Sequence, residues 1–128
     1  MGDPIAHRIV AVDFPVPQQQ TNVTLSATDP EIQEALRIID EVFVANGFAR
    51  DQNPPPPEDQ AQGIIVAYGR YNVSLKGHRL IVNFVEFGKR HSSPIVMRTS
   101  NSMKDKLGSR FGAQRVGVES DTAEMQVR

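Results

Sequence analysis

The sequence predicts an α+β fold with one antiparallel sheet and two helices packed on one face, in the layering of a ferredoxin-like domain. Apolar patterns follow the order strand, helix, two hairpin strands, helix, strand, and one sheet satisfies this βαββαβ order with short connections. At 128 residues the chain is long enough for one hydrophobic core. We expect a single domain over residues 1–118, an extra edge segment at residues 21–25 and a flexible polar tail at residues 119–128.

Residues 7–14 (HRIVAVDF) predict the first strand. The run is too short for a stable helix, and it is followed by Pro15. Its apolar side chains alternate onto both faces, so the strand has two faces that can pack.

Residues 29–46 carry the strongest helix signal. Their apolar side chains recur at steps of three and four residues and form one stripe: Ile32, Ala35, Leu36, Ile39, Val42 and Phe43. Either Thr28 or Asp29 caps the first turn, and the sequence leaves both alternatives open. Gly47 supplies the left-handed backbone that ends the helix.

Residues 51–62 (DQNPPPPEDQAQ) predict an exposed surface connection without regular structure, because consecutive prolines remove backbone donors. Residues 63–87 predict a hairpin with its turn at residues 76–78. In this register Tyr68 and Tyr71 lie on opposite faces of one long arm.

Residues 94–110 leave two alternatives open. A helix can begin at Pro94 along a thin apolar stripe, or the polar residues 99–102 interrupt the chain and a shorter helix begins near Met103. We favour the shorter helix, followed by a final strand at residues 115–119.

Charge divides unevenly along the chain. Residues 1–62 hold three Lys/Arg against ten Asp/Glu (−7), residues 63–115 hold ten against two (+8), and residues 116–128 hold one against three (−2). This asymmetry favours either complementary faces within one fold or a polarised surface with a charged partner.

The sequence lacks the patterns that identify several kinds of functional site. There is no cysteine for a disulfide or thiolate zinc site, no GxSxG motif, and no phosphate-binding loop in the required context. We therefore predict no catalytic residue, no cofactor and no metal site. A small enzyme centred on His91, with Arg90 and Glu86, is an alternative, and its sign would be a perturbed histidine or carboxylate in a closed pocket. The longest apolar run is far too short to span a membrane.

The stretch FGKRHSSP places three basic residues where a strand leaves the sheet. A following helix that begins near Ser102 would bring two lysines to the same edge. The predicted binding residues are therefore Lys89, Arg90, His91, Arg98, Lys104 and Lys106. Their partner would be an acidic protein or an anionic surface. The alternative is nucleic acid, with Tyr68 and Tyr71 as stacking residues.

The passage NGFARD at residues 46–51, followed by IIVAY at residues 64–68, resembles small bacterial envelope lipoprotein domains, in which a helix ends in Gly-Phe before a central strand. The resemblance implies a periplasmic or envelope location in preference to the cytoplasm. The leading interpretation is a non-enzymatic binding or assembly module that docks an acidic partner through its basic C-terminal half, and the resemblance implies that it belongs to an envelope protein.

Overall fold

A computed structural model of the chain describes residues 4–15 and 25–124, with side chains up to residue 120. The strands are β1 (Pro4–Asp13), β2 (Ile64–Tyr68), β3 (Tyr71–Lys76), β4 (Arg79–Phe87) and β5 (Val116–Glu124). The helices are α1 (Pro30–Ala45), α2 (Pro57–Ala61) and α3 (Pro94–Phe111), with a 3₁₀ turn at Ala113–Arg115. The α+β class with one antiparallel sheet is confirmed, whereas the ferredoxin-like detail stays a prediction.

The five strands form one sheet in the order β2-β3-β4-β1-β5, and all neighbours are antiparallel. β5 pairs with β1 as far as Glu124, so residues 119–124 belong to the sheet and not to the predicted tail. Residues 125–128 lie outside the described residues. Of the predicted edge segment, only Leu25 is described, and it packs partly buried against the core.

Helices α1 and α3 cover one face of the sheet. The predicted stripe of α1 is confirmed, except that Ile38 is buried and Leu36 is only partly buried. The fully buried side chains of the sheet on this face include Val10, Val12, Leu80, Val82 and Phe84. Burying a side chain of this size contributes about 1.5–3 kcal/mol, so this layer dominates the stability of the fold.

The ends of α1 follow the sequence. Asp29 is the N-cap residue, with extended backbone before Pro30, but its side chain makes no cap hydrogen bond to the helix, because Asp29 Oδ2 accepts the N–H of Ser26 at 2.9 Å. At the other end Gly47 has φ 89°, and the Phe48 N–H donates to the carbonyl of Phe43 at 2.9 Å. The ring of Phe48 then packs edge-on against Phe43, which closes the helix end.

The predicted long arm of the hairpin is two strands. Gly69 adopts φ 65° in the two-residue turn between β2 and β3, a conformation that glycine reaches without strain. Tyr68 and Tyr71 are therefore cross-strand partners, and both are buried. The prediction that they lie on opposite faces is wrong, because the turn reverses the chain between them.

Helix α3 begins at Pro94, so the shorter helix that we favoured is wrong. The polar run does not interrupt it because the buried hydroxyls bond to the preceding turn. Thr99 Oγ1 donates to the carbonyl of Ile95 at 2.6 Å, and Ser100 Oγ donates to that of Met97 at 3.1 Å.

The proline-rich connection is largely exposed, as predicted, but it contains the short helix α2. Pro57 occupies the first helical position, where a missing backbone donor costs no hydrogen bond. The Asp51 N–H donates to the carbonyl of Ala67 at 2.9 Å, so the connection begins along the outer edge of β2. β2 is an edge strand, and the central strand implied by the lipoprotein resemblance is absent at this position.

Candidate docking site at the cationic end

The strand directions bring several segments to one end of the sheet. β1 begins there, β2 turns into β3, β4 leads into α3, and α1 terminates nearby. We call this the cationic end, and define it by six exposed basic side chains: Arg50, Arg70, Lys89, Arg90, His91 and Arg98.

Two of these basic segments meet at Tyr71. Burial raises the pKa of the Tyr71 phenol, the nearby Glu86 carboxylate raises it further, and Arg70 opposes the rise. Arg70 comes from the β2–β3 turn and Glu86 from the last part of β4, next to Lys89. The turn and the β4–α3 connection are therefore neighbours in space although about twenty residues separate them in sequence.

Glu86 is buried on the helix-covered face and retains 7% of its exposure. Its Oε1 accepts the backbone N–H of Ser93, the N-cap residue of α3, at 2.7 Å. A carboxylate in this position complements the positive end of an 18-residue helix. This interaction gives the buried charge a structural role.

A second carboxylate at this end also bonds internally. Tyr68 Oη donates to Asp40 Oδ1 at 2.6 Å. Burial raises the pKa of Tyr68 above its usual range, and the hydrogen bond and negative charge of Asp40 raise it further. Asp40 and Glu86 are thus held by internal donors, and Asp51 Oδ1 accepts the N–H of Gly69 at 3.0 Å.

Beneath the cations lies a cluster of aromatic rings. Phe43 stacks on Tyr68 with 4.0 Å between ring centroids. Phe48 packs against Tyr71, and Tyr71 against Phe84, at 5.5 and 5.3 Å. Since both tyrosines are buried in this cluster, they do not offer the exposed stacking surface on which the nucleic-acid alternative depended.

Four of the six predicted binding residues lie at the cationic end, and two do not. Arg98, in the second turn of α3, donates to Asn46 Oδ1 at the end of α1 at 3.0 Å. Lys104 lies about 15 Å along the helix from Pro94, and Lys106 lies farther still. Those two lysines are also separated by about 200° around the helix axis. The expected convergence fails because α3 begins eight residues before Ser102.

Sequence reasoning missed Arg50 and Arg70 as members of this group. Arg70 was assigned to the middle of a strand, although the glycine before it and the tyrosines on either side fit a tight turn. Arg50 lies near the Tyr68 phenol, where its charge lowers the pKa against the other influences. Nothing in the local pattern around Arg50 indicates this position.

Three large apolar side chains are exposed at the same end. Phe87 closes β4 with 58% of its surface exposed, Val44 lies in the last turn of α1 with 57%, and Met97 lies in the first turn of α3 with 40%. The cationic end therefore combines positive charge with apolar contact area.

Other cations of the second half pair with carboxylates of the first half. Arg79 Nε lies 2.8 Å from Asp13 Oδ1, and Arg110 Nε lies 3.3 Å from Glu34 Oε2. Arg115 Nη2 lies 3.6 Å from an oxygen of Glu31. For these three arginines, the charge asymmetry of the sequence reflects complementary surfaces within one fold.

A groove of about 520 Å³ lies between β2 and the proline-rich connection, and its lining includes Arg50, Pro54 and Ile65. Neither Glu86 nor His91 lines it, so it does not support the enzyme alternative. Within residues 4–15 and 25–124, no group of three or more His, Asp or Glu is placed to hold a metal ion. Over the same residues, no helix has the length and apolar character to cross a membrane.

Comparison with family models, curated proteins and solved structures finds no match for this chain. Inference about function therefore rests on the residues of the chain itself. The envelope location implied by the lipoprotein resemblance stays a prediction.

Proposed function

We propose that this protein is a non-enzymatic binding or assembly module that docks an acidic protein at its cationic end. The observation that carries the proposal is the concentration of exposed cations at an end where Asp40 and Glu86 accept internal hydrogen bonds and Asp51 Oδ1 accepts the N–H of Gly69. Among the side chains that the structure describes at this end, cations outnumber carboxylates, which favours an anionic partner.

The cations include side chains that remain available to a partner. Among the residues that the structure describes, neither Arg70 nor Lys89 forms an ion pair with a carboxylate. An approaching acidic surface would form its contacts with these groups without first breaking an internal ion pair. Such charges increase the rate of encounter and select partners by sign.

The apolar side chains favour a protein as the partner. Phe87 and Met97 are exposed beside the cations, and protein interfaces place apolar anchors within a polar or charged rim. Burial of both tyrosines removes the aromatic platform that single-stranded nucleic acid would use. An acidic protein surface with an apolar centre matches this combination best.

The experiment compares two double charge reversals with the same change in net charge. The test variant is Arg70→Glu with Lys89→Glu, and the control is Lys104→Glu with Lys106→Glu on α3. A fluorescent poly-glutamate peptide serves as the acidic probe, and binding is titrated at low and physiological salt. We expect the test variant to bind at least about tenfold more weakly and the control to change by less than about threefold.

Salt and competing probes complete the test. Exposed charges are screened over about 8 Å at physiological ionic strength, so wild-type binding should weaken as salt rises. Equal losses in both variants would show that only net charge matters, and would contradict the proposal. Tighter binding to a single-stranded oligonucleotide or to anionic phosphatidylglycerol vesicles than to poly-glutamate would also overturn it.

A further inference from the structure

The run of four prolines at residues 54–57, which we call the proline segment, is displayed on the surface. Pro54, Pro56 and Pro57 are exposed, and Pro55 is half-buried. Helix α2 follows directly, and although the structure describes all of its residues, none of them is buried. The apolar rings of the proline segment therefore give the core little support, and most of their surface is available to another molecule.

The connection that carries the proline segment is longer than its path requires. The Asp51 N–H donates to the carbonyl of Ala67 on β2, and Gly63 directly precedes the same strand. The connection therefore has to cover the length of about four strand residues, or about 13 Å. An extended chain covers that distance in about four residues, yet the connection uses residues 52–62. The prolines are thus not needed as a spacer, and surface connections commonly carry binding residues.

The backbone of the proline segment follows a polyproline II helix. Each ring holds φ at about −65°, and a proline at the next position disfavours the helical ψ at residues 53–56. Pro56 shows the result, with φ −58° and ψ 156°. A polyproline II helix has about three residues per turn, so its side chains form three edges. Pro54 and Pro57 lie on one edge, Pro56 on the second and Pro55 on the third.

Contacts with the rest of the domain fix the segment and leave two of its edges exposed. Pro55 is the half-buried member, and it lines the groove together with Ile65 of β2. Gln60 Nε2 donates to the carbonyl of Pro55 at 2.7 Å, and the hydrogen bond of Asp51 holds the start of the connection against β2. Because the conformation is already fixed in the free protein, a partner would lose little affinity to the ordering of this segment.

The charges beside the proline segment are negative. Residues 51–62 contain Asp51, Glu58 and Asp59 and no lysine or arginine. Glu58 directly follows the last proline and is exposed. A partner that covers the prolines would therefore meet a carboxylate at the border of the contact, which favours a partner with a basic residue at that position.

We infer that the proline segment is a ligand for an aromatic-lined groove on a partner protein. Grooves of this kind, as in SH3, WW and EVH1 domains, bind polyproline II helices whose conformation is already formed. The two exposed edges, with Pro54, Pro56 and Pro57, fill the groove, and a cation at its border faces Glu58. This surface differs from the cationic end in its chemistry and in the sign of its charge, so the inference does not rest on the proposed function.

The test titrates the full chain into fluorescently labelled SH3, WW and EVH1 domains. Wild-type protein should bind at least one of these probes with a Kd below about 0.1 mM. Pro54→Ala with Pro57→Ala removes the rings of one exposed edge and should weaken that binding at least about tenfold. The control Pro15→Ala with Pro94→Ala makes the same two changes at exposed prolines outside the segment and should alter binding by less than about threefold.

A charge variant and a second probe make the test specific. Glu58→Lys should weaken binding at least about threefold, because it places a cation beside the basic border of the groove. Circular dichroism confirms that each variant is folded, and the double proline variant should still bind poly-glutamate like wild type, which separates this surface from the cationic end. Wild-type protein that binds none of the three domains up to about 1 mM, equal binding by the proline variant and its control, or an unchanged affinity for Glu58→Lys would overturn the inference.

Discussion

The two ends of the sheet both carry arginines, but they use them differently. At the end opposite the cationic end, Arg79 and Arg115 contact acidic residues or carbonyls of the first half of the chain. At the cationic end, Arg70 and Lys89 extend into solvent while Glu86 faces inward. A net charge summed over part of a sequence therefore merges cations that hold the fold together with cations that are available to a partner.

The two ends also differ in what stabilises them. The far end joins segments that are remote in sequence through guanidinium contacts, such as Arg115 Nε donating to the carbonyl of Asp13 at 2.8 Å. The cationic end is closed by aromatic packing and by the hydrogen bonds of Tyr68 and Glu86. Stability should consequently depend on rings at one end and on arginines at the other.

The largest expected effect is loss of the central ring of the cationic end. Phe43 is fully buried and its ring contacts Phe48, Tyr68 and Phe84. Phe43→Ala should lower the free energy of unfolding by about 3–5 kcal/mol, measured by urea denaturation. The neighbouring Val44→Ala is a matched control, because Val44 is 57% exposed, and should change stability by less than about 0.5 kcal/mol. If Phe43→Ala lowers the free energy of unfolding by less than about 1 kcal/mol, the aromatic cluster is not the main source of stability at this end.

The buried tyrosines should make stability depend on alkaline pH. Burial raises the pKa of both phenols, and Asp40 raises that of Tyr68 further. A group with a raised folded pKa contributes full stability below its unfolded pKa, and that contribution is lost as pH rises above about 10. Tyr68 should lower the free energy of unfolding by up to about 1.4 kcal/mol per pH unit above its unfolded pKa, and Tyr71 should act in the same direction. Tyr68→Phe should remove one such contribution, so the free energy of unfolding of this variant should fall less steeply with pH than that of wild type. The same pH dependence in both proteins between about pH 9 and 11, measured by urea denaturation at each pH, would contradict this.

Arg115 tests the far end by a matched pair of substitutions. Its guanidinium lies 5.3 Å from the ring centroid of Phe14 and 5.5 Å from that of Phe111, and Nε bonds to the Asp13 carbonyl. Arg115→Met should lower the free energy of unfolding by about 1–2 kcal/mol. Lys89→Met at the cationic end should change it by less than about 0.5 kcal/mol. Equal losses in the free energy of unfolding for the two variants, measured by urea denaturation, would contradict the claim that cation contacts stabilise the far end and not the cationic end.

The sequence predicts elements whose periodicity is long and uninterrupted. The stripe of α1 and its glycine stop identify that helix because tertiary packing agrees with the local pattern. The start of α3 was missed because buried Thr99 and Ser100 bond to their own helix, which no propensity argument detects. The β2–β3 turn was missed because Gly69 was interpreted as a strand residue.

The candidate site was predicted only where its members are close in sequence. Lys89, Arg90 and His91 are consecutive, and Arg98 follows within two turns of the next helix. Arg50 and Arg70 join them because of the turn position and the strand order, which a single sequence does not specify. Charge composition alone could not separate them from Lys104 and Lys106, which lie elsewhere on α3.

The smallest expected effect concerns the ion pair between Asp13 and Arg79 at the far end. The hydrogen bond to Asp13 and its negative charge raise the pKa of Arg79, but both side chains are about half exposed, at 52% and 46%. Water screens such a pair, and the entropy lost by ordering two side chains opposes the attraction. A double-mutant cycle with Asp13→Asn and Arg79→Gln should therefore give a coupling energy of about 0.2–1 kcal/mol. The coupling should decrease between low salt and about 1 M salt, because screening acts on exposed charges. A coupling above about 2 kcal/mol that is indifferent to salt would mean that this pair, and not the packing of Arg115, holds the far end together.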